Sequence, residues 1–187
     1  MLLHLSGYVN SQNSRHWNFA NPNLVHQELL HSVNVGIWAA MTSKRIFFTT
    51  FNTTVTSEVY KGFIDQLAET LTEEEIAKGW FQQDNAPAHT SKSSLKHLND
   101  YFGDRVISKG LWPPRSPDLS PPDFFLWGYL KDKVFQSAPQ NLHQLVNNIA
   151  HEIHSITQDT LLRVSMSVIH RANMCCSVQG DHFQQHV

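Results

Sequence analysis

The chain has 187 residues, 41% of them hydrophobic and 11% aromatic, which suits one domain with a substantial core and leaves two cramped. Fourteen Lys and Arg against sixteen Asp and Glu give a formal charge of −2, arguing against a strong, sequence-independent nucleic-acid binder. No run approaches the ~18 apolar residues of a membrane span, "MLLHLSGYVN" lacks the basic start of a signal peptide, and two adjacent cysteines, Cys175 and Cys176, cannot build a disulfide framework, so a reducing, intracellular setting is expected.

Residues 2–9, "LLHLSGYV", read as a strand with a bend at Gly7. The polar, turn-rich stretch 10–23 holds a short strand around His16 and Trp17. Residues 33–41 and 45–51 are the next two strands, joined by a polar hairpin at 42–44. From Ser57, a candidate N-cap, the period becomes helical: Val59, Phe63, Ile64, Leu67 and Leu71 share one apolar face. "GWFQQD" reads as a short buried strand ending at Asp84. Residues 86–102 open a helix whose Leu95, Leu98 and Phe102 point inward, and "DRVISKG" supplies another short strand.

Five of the eight prolines then fall between Pro113 and Pro122, fixing a stiff, largely extended loop. It ends in a helix start, with Ser120 as N-cap, Pro121 at the first helical position and Asp123 three residues after the cap. Leu142, Leu145, Val146, Ile149, Ile153 and Ile156 describe an amphipathic helix, and a last helix is expected over residues 159–174. Strands, then alternating strand and helix, then helices, predict an α/β domain with one mixed sheet.

In such a sheet the ligand site lies at the carboxyl ends of strands. Asp84 ends a strand there, and Asp123 starts a helix held by the proline loop. Two carboxylates from separate, rigid elements suit a divalent cation, because magnesium takes oxygen ligands and tolerates little geometric error. Each acid also has a plainer reading: Asp84 as a turn former or cap, Asp123 as a first-turn acid favoured by the helix dipole. Asp118 reads as a turn residue, and His89 as a ligand, a phosphate contact or a helix-start residue.

The long motifs "QQDNAPAHT" and "WPPRSPDLSPPDFFLWGYLKDKVF", in that order and with 38 residues between the two acids, resemble the catalytic domain of mariner-like transposases. These are cut-and-paste DNA transposases with an Asp, Asp, Asp/Glu triad. "HLSGYVNSQNSRHW", "VNVGIWAAM" and "GDHFQQHV" extend the resemblance over nearly the whole chain, read as one catalytic domain, 1–187. The resemblance implies a ribonuclease-H-like fold, a mixed sheet flanked by helices, and DNA strand cleavage and transfer dependent on Mg2+ or Mn2+. By motif position Asp84 is the second catalytic, metal-binding acid and Asp123 the third, while Asn85, Pro87 and His89 shape the site. Lys92, Arg115, Lys131 and Lys133 are candidate contacts to DNA phosphates. DNA as partner, a homodimer and a nuclear location follow from the resemblance alone. No small-molecule substrate and no membrane partner are expected.

The first acid of the family lies on the first strand, as Asp-Glu shortly before the segment resembling "HLSGYVN", and so falls just ahead of Met1. No Asp or Glu precedes Glu28, and His4 is a poor substitute for a carboxylate. The first strand is therefore expected to be incomplete, the helix-turn-helix region of the family to be absent, and this chain alone to be inactive. The alternative is a non-catalytic nucleic-acid-binding or protein-interaction module retained from a transposon. A zinc site from Cys175, Cys176, His182 and His186 lacks the spacing of a compact zinc centre. His151 and His154 read as solvent-facing, and "FFLWGYL" as core packing.

Overall fold

The computed structural model describes residues 1–5, 33–113 and 116–179. Strand β1 (Leu2–His4) pairs antiparallel with β2 (Asn34–Met41), which pairs antiparallel with β3 (Ile46–Phe51) in register Met41↔Ile46. The hairpin closes where Thr42 N–H donates to the Arg45 carbonyl at 2.9 Å. Helices α1 (Ser57–Ala68) and α2 (Glu73–Lys78) lead into β4 (Phe81–Gln82), and α3 (Lys92–Phe102) into β5 (Val106–Ile107), parallel to β4. The proline loop makes a 3-10 turn at Pro117–Leu119 and a π-turn at Pro122–Leu126. Helices α4 (Trp127–Val134), α5 (Leu142–Ser155) and α6 (Gln158–Ser177) complete the described chain.

Both expected kinds of pairing are present, but the described strands form two ladders, β1-β2-β3 and β4-β5, rather than one. β4 and β5 are two residues long, and Trp38 and Phe51 of one ladder and Phe81 and Val106 of the other pack against the same apolar cluster. The rest of the predicted first strand, with Gly7, and the stretch around His16, Trp17 and Glu28 lie outside the described residues.

Strand alternation places β2 between two cores. Val35 and Ile37 face Leu126, Leu130, Val134, Leu145, Ile149 and Ile153 of the α4–α5 layer. Trp38 faces the other way, onto a cluster of Tyr60, Phe63, Ile64, Leu98 and Phe102 from α1 and α3. Gly36, on that second face, lies under Phe51; a Cβ there would come within 2.2 Å of its ring.

Several helix details depart from the expected ones. Thr56, not Ser57, caps α1, its Oγ1 accepting from Val59 N–H at 3.3 Å. The buried face of α1 is rotated toward Tyr60, and Leu71 lies past the helix end. In α3, Leu98 and Phe102 are buried, while Leu95 is only partly covered and Ser94 is buried instead. His151 and His154 do face solvent.

Helix α2 went unpredicted because its six residues bury none of their side chains. Its stability comes from polar contacts, a Thr72/Glu75 capping box, with Arg45 Nη2 donating to Glu75 Oε2 at 2.6 Å. The Thr72 backbone N–H and then Arg45 pull the Glu75 carboxyl down to about 2. Its contribution is therefore complete above the ordinary value of 4.5 and lost as pH falls toward 2. A Glu75→Gln chain is expected to show a lower urea midpoint than the parent at neutral pH, with the gap closing as pH is lowered through that window.

Candidate active site

Asp84 stands just past β4, where Gln83 N–H still donates to the Ile107 carbonyl at 3.0 Å. Its side chain is 55% exposed, yet it is held on one side. Oδ1 accepts from the Ala86 N–H at 3.1 Å and meets His89 Nδ1 at 2.5 Å. The bond to His89 holds the Asp84 carboxyl below its ordinary value, outweighing the opposite pull of burial.

His89 is fixed in turn. Its ring lies on that of Tyr60, with centroids 4.2 Å apart. The buried Tyr60 hydroxyl donates to Gln83 Oε1 at 2.5 Å, and Gln83 Nε2 donates to the His89 carbonyl at 3.0 Å and Ser108 Oγ at 2.9 Å. Burial, and then the Asp84 charge, push the Tyr60 hydroxyl far up, so it stays a donor. This chain joins α1, β4, β5 and the loop to α3, and it ends on the oxygen of Asp84.

Asp123 occupies the π-turn, where the Trp127 N–H reaches back five residues to the Pro122 carbonyl. Single π-turns occur frequently at functional sites. The Ser120 carbonyl accepts from both Asp123 N–H (2.9 Å) and Phe124 N–H (3.0 Å). Burial, then the charge of Asp84, raise the Asp123 carboxyl; hydrogen bonds from the Trp127 and Ser120 side chains oppose them. The two acids thus share one electrostatic neighbourhood, and Asp123 protonates before Asp84 as pH falls. Met1, just ahead of β1, lies at the same place, its amino group donating to the Ile37 carbonyl at 2.7 Å. Burial lowers that amine's pKa, while the charges of Asp123 and Asp84 raise it.

The remaining expected residues scatter around this centre. Asn85 Nδ2 donates to the Trp112 carbonyl at 3.4 Å, tying the Asp84 loop to the segment before the prolines. Its Oδ1 is buried without a hydrogen-bond partner. A groove of about 530 Å³ opens there, walled by Thr90 and residues 109–113. Pro87 is exposed. Lys92 begins α3 and Lys131 and Lys133 lie on α4, all exposed; Lys131 is close enough to lower the Met1 amine. Arg115, His182 and His186 lie outside the described residues. Cys175 is partly exposed and Cys176 exposed. Among the described residues no three His, Cys, Asp or Glu side chains converge as metal ligands.

Tyr60, Gln83 and Trp127 escaped the sequence reading. Trp127 had a signal, since it follows Asp123 by four residues. Gln83 had one only as the neighbour of Asp84, and Tyr60 had none. The run "FFLWGYL" is core packing at Leu126 and Leu130, as expected, while Phe124 instead lies under the Arg171 guanidinium, 4.2 Å from ring centroid to Cζ.

Residues 9–146 match the DDE superfamily endonuclease family. The chain is 30% identical over 112 residues to the Tcb2 transposable-element transposase of Caenorhabditis briggsae, covering 59% of this chain and 36% of that protein. It is 36% identical over 103 residues to the Tc3 transposase of Caenorhabditis elegans, covering 54% and 30%. The chain therefore spans about a third of the length of these relatives. In structure it matches the Mos1 transposase catalytic domain with Raltegravir and Mg at TM-score 0.71 and 17% identity, over 81% of this chain and 78% of that one. These matches bear out the mariner-like resemblance and the ribonuclease-H-like fold. No helix among the described residues is long and apolar enough to cross a membrane.

Proposed function

We propose, for a chain that belongs to the DDE superfamily of endonucleases, that Asp84 and Asp123 are two of the three acids of a metal-dependent DNA cleavage and strand-transfer site. The observation carrying this reading is that two carboxylates with 38 residues between them lie in one electrostatic field. The donor set fits a hard divalent cation. Burial, and then the charge of Asp84, raise Asp123, and a cation beside the two carboxylates would offset both.

Bound Mg2+ or Mn2+ would activate the attacking oxygen and stabilise the leaving one in phosphoryl transfer. The chain's own residues supply rigidity. His89 and the Ala86 N–H occupy Oδ1 of Asp84, leaving Oδ2 for the cation, while the π-turn and proline loop hold Asp123. Lys92, Lys131, Lys133 and Arg115 are proposed to meet phosphates, and the groove beside Asn85 to receive the strand end. The resemblance puts the first acid just ahead of Met1, and a residue there would continue β1 beside both carboxylates. Residues 1–187 by themselves are then expected to bind the cation weakly and to cleave DNA poorly. DNA ends as substrate and a nuclear location are part of the same reading. Among the described residues no third acid is grouped with these two, and the second reading is a domain kept for binding alone.

Calorimetric titration with Mn2+ separates them, comparing residues 1–187 with a chain carrying an Asp-Glu-containing extension of β1 ahead of Met1. The extended chain is expected to bind at least tenfold more tightly. Asp84→Ala or Asp123→Ala in it should weaken binding by more than the roughly 10–100-fold typical of losing a group that only hydrogen-bonds a metal ligand. Equal, negligible binding by every form would leave the acids as structural remnants and favour the binding module.

A further inference from the structure

Prolines stiffen the loop before Asp123 from within, but they do not set where it lies against the rest of the domain. One side chain of α6 grips it on both sides of the acid. Arg171 Nη1 donates to the Asp118 carbonyl at 3.2 Å, in the 3-10 turn ahead of Asp123. Arg171 Cζ lies 4.2 Å over the ring of Phe124, the residue directly after Asp123. Its Nε donates to Ser167 Oγ, one turn back on α6, at 3.3 Å, which fixes the plane of the fork. Ser120 carries the grip onward: it is buried, and its carbonyl accepts from the N–H groups of both Asp123 and Phe124. Phe124 joins neither apolar cluster among the described residues, so its ring rests on the guanidinium rather than on the core.

We propose that Arg171 is a positioning residue for Asp123, a clamp that sets where this carboxylate stands. The proposal rests on the reading of Asp123 as a metal-holding acid. A cation of the magnesium type tolerates little error in its ligand geometry, so a carboxylate on a turn free to drift binds it less well. Arginine suits this task better than lysine. Its planar, delocalised fork stacks on a ring while donating in its own plane, whereas an ammonium is a compact point charge on a flexible stem. Arg163, earlier on the same helix, gives the contrast. It is 69% exposed and pairs within α6 with Asp159 at 2.6 Å. It carries the same charge on the same helix, and so separates the effect of charge from that of the clamp.

Amide hydrogen exchange of residues 1–187 reads the clamp without any metal. Arg171→Gln is expected to speed exchange at Asp123 and Phe124 about tenfold, while Ile149 in the core keeps its rate. In the extended chain titrated with Mn2+, the same change should weaken binding about tenfold, the lower end of the range for groups that hold a metal ligand in place. Arg171→Lys should lose nearly as much, because charge alone does not make the clamp. Arg163→Gln should change neither measurement. Unaltered exchange in Arg171→Gln, unaltered affinity beside a parent that binds Mn2+, full rescue by lysine, or an equal loss from Arg163→Gln would each overturn the proposal. An extended parent that binds no Mn2+ marks a different failure. The two-acid reading then falls and takes the proposal with it, and faster exchange in Arg171→Gln would show a structural tie only.

Discussion

Truncating Ile149 to alanine is expected to lower the unfolding free energy by about 2–5 kcal/mol, a large share of the ~5–15 kcal/mol that holds a domain together. Ile149 is fully buried at the centre of the cluster in which α5 meets Leu126 and Leu130 of the Asp123 helix and Leu3, Val35 and Ile37 of the sheet. The lost methyl groups forfeit transfer energy, and packing on three sides prevents the cavity from collapsing. Val146, one turn away and only partly buried, should give a smaller loss on the same change. Urea unfolding of both variants checks the order. Equal losses would mean that the α4–α5 contact is not the main support of this half of the fold.

Gln83→Leu should be nearly as damaging, at about 3–5 kcal/mol, although it keeps the side chain's bulk. Three groups lose their partner at once: the Tyr60 hydroxyl, the His89 carbonyl and Ser108 Oγ. Each unpaired buried polar group costs about 1–3 kcal/mol. Adding Tyr60→Phe removes one of the stranded groups, so the double variant should be more stable than the sum of the single losses predicts. A denaturation cycle over the four chains measures that coupling, and strict additivity would show that Tyr60 and Gln83 do not act as a unit. Through His89 the same change should also loosen Asp84, so Mn2+ affinity of the extended chain is expected to fall together with stability.

Much of this architecture is local and was therefore readable. The hairpin at 42–44 and the amphipathic face of α5 follow from period and turn chemistry, which depend only on near neighbours. So does the strand leading to Asp84, though it is only Phe81–Gln82, partly buried, and stops short of the expected end at Asp84. Helix α2 shows the limit. With no buried side chain it leaves no hydrophobic period, and Arg45, which holds its cap, comes from a distant hairpin. That the described strands fall into two ladders was not legible for a related reason, since strand existence is a local property and strand pairing is not.

The sequence by itself determined the family, through two long motifs in order, and with it the candidate acids Asp84 and Asp123. It also determined that Pro113 to Pro122 would hold Asp123 stiffly, because proline limits its own φ wherever it stands. Only the tertiary structure decided what each acid feels. Asp84 is lowered by a histidine that a tyrosine from α1 keeps in place, and Asp123 is raised by burial and by Asp84 itself. A carboxyl's proton affinity is set by the burial, charges and donors around it in space, and residues as far apart in the chain as Tyr60 and Asp123 become neighbours of one site only when the helices pack.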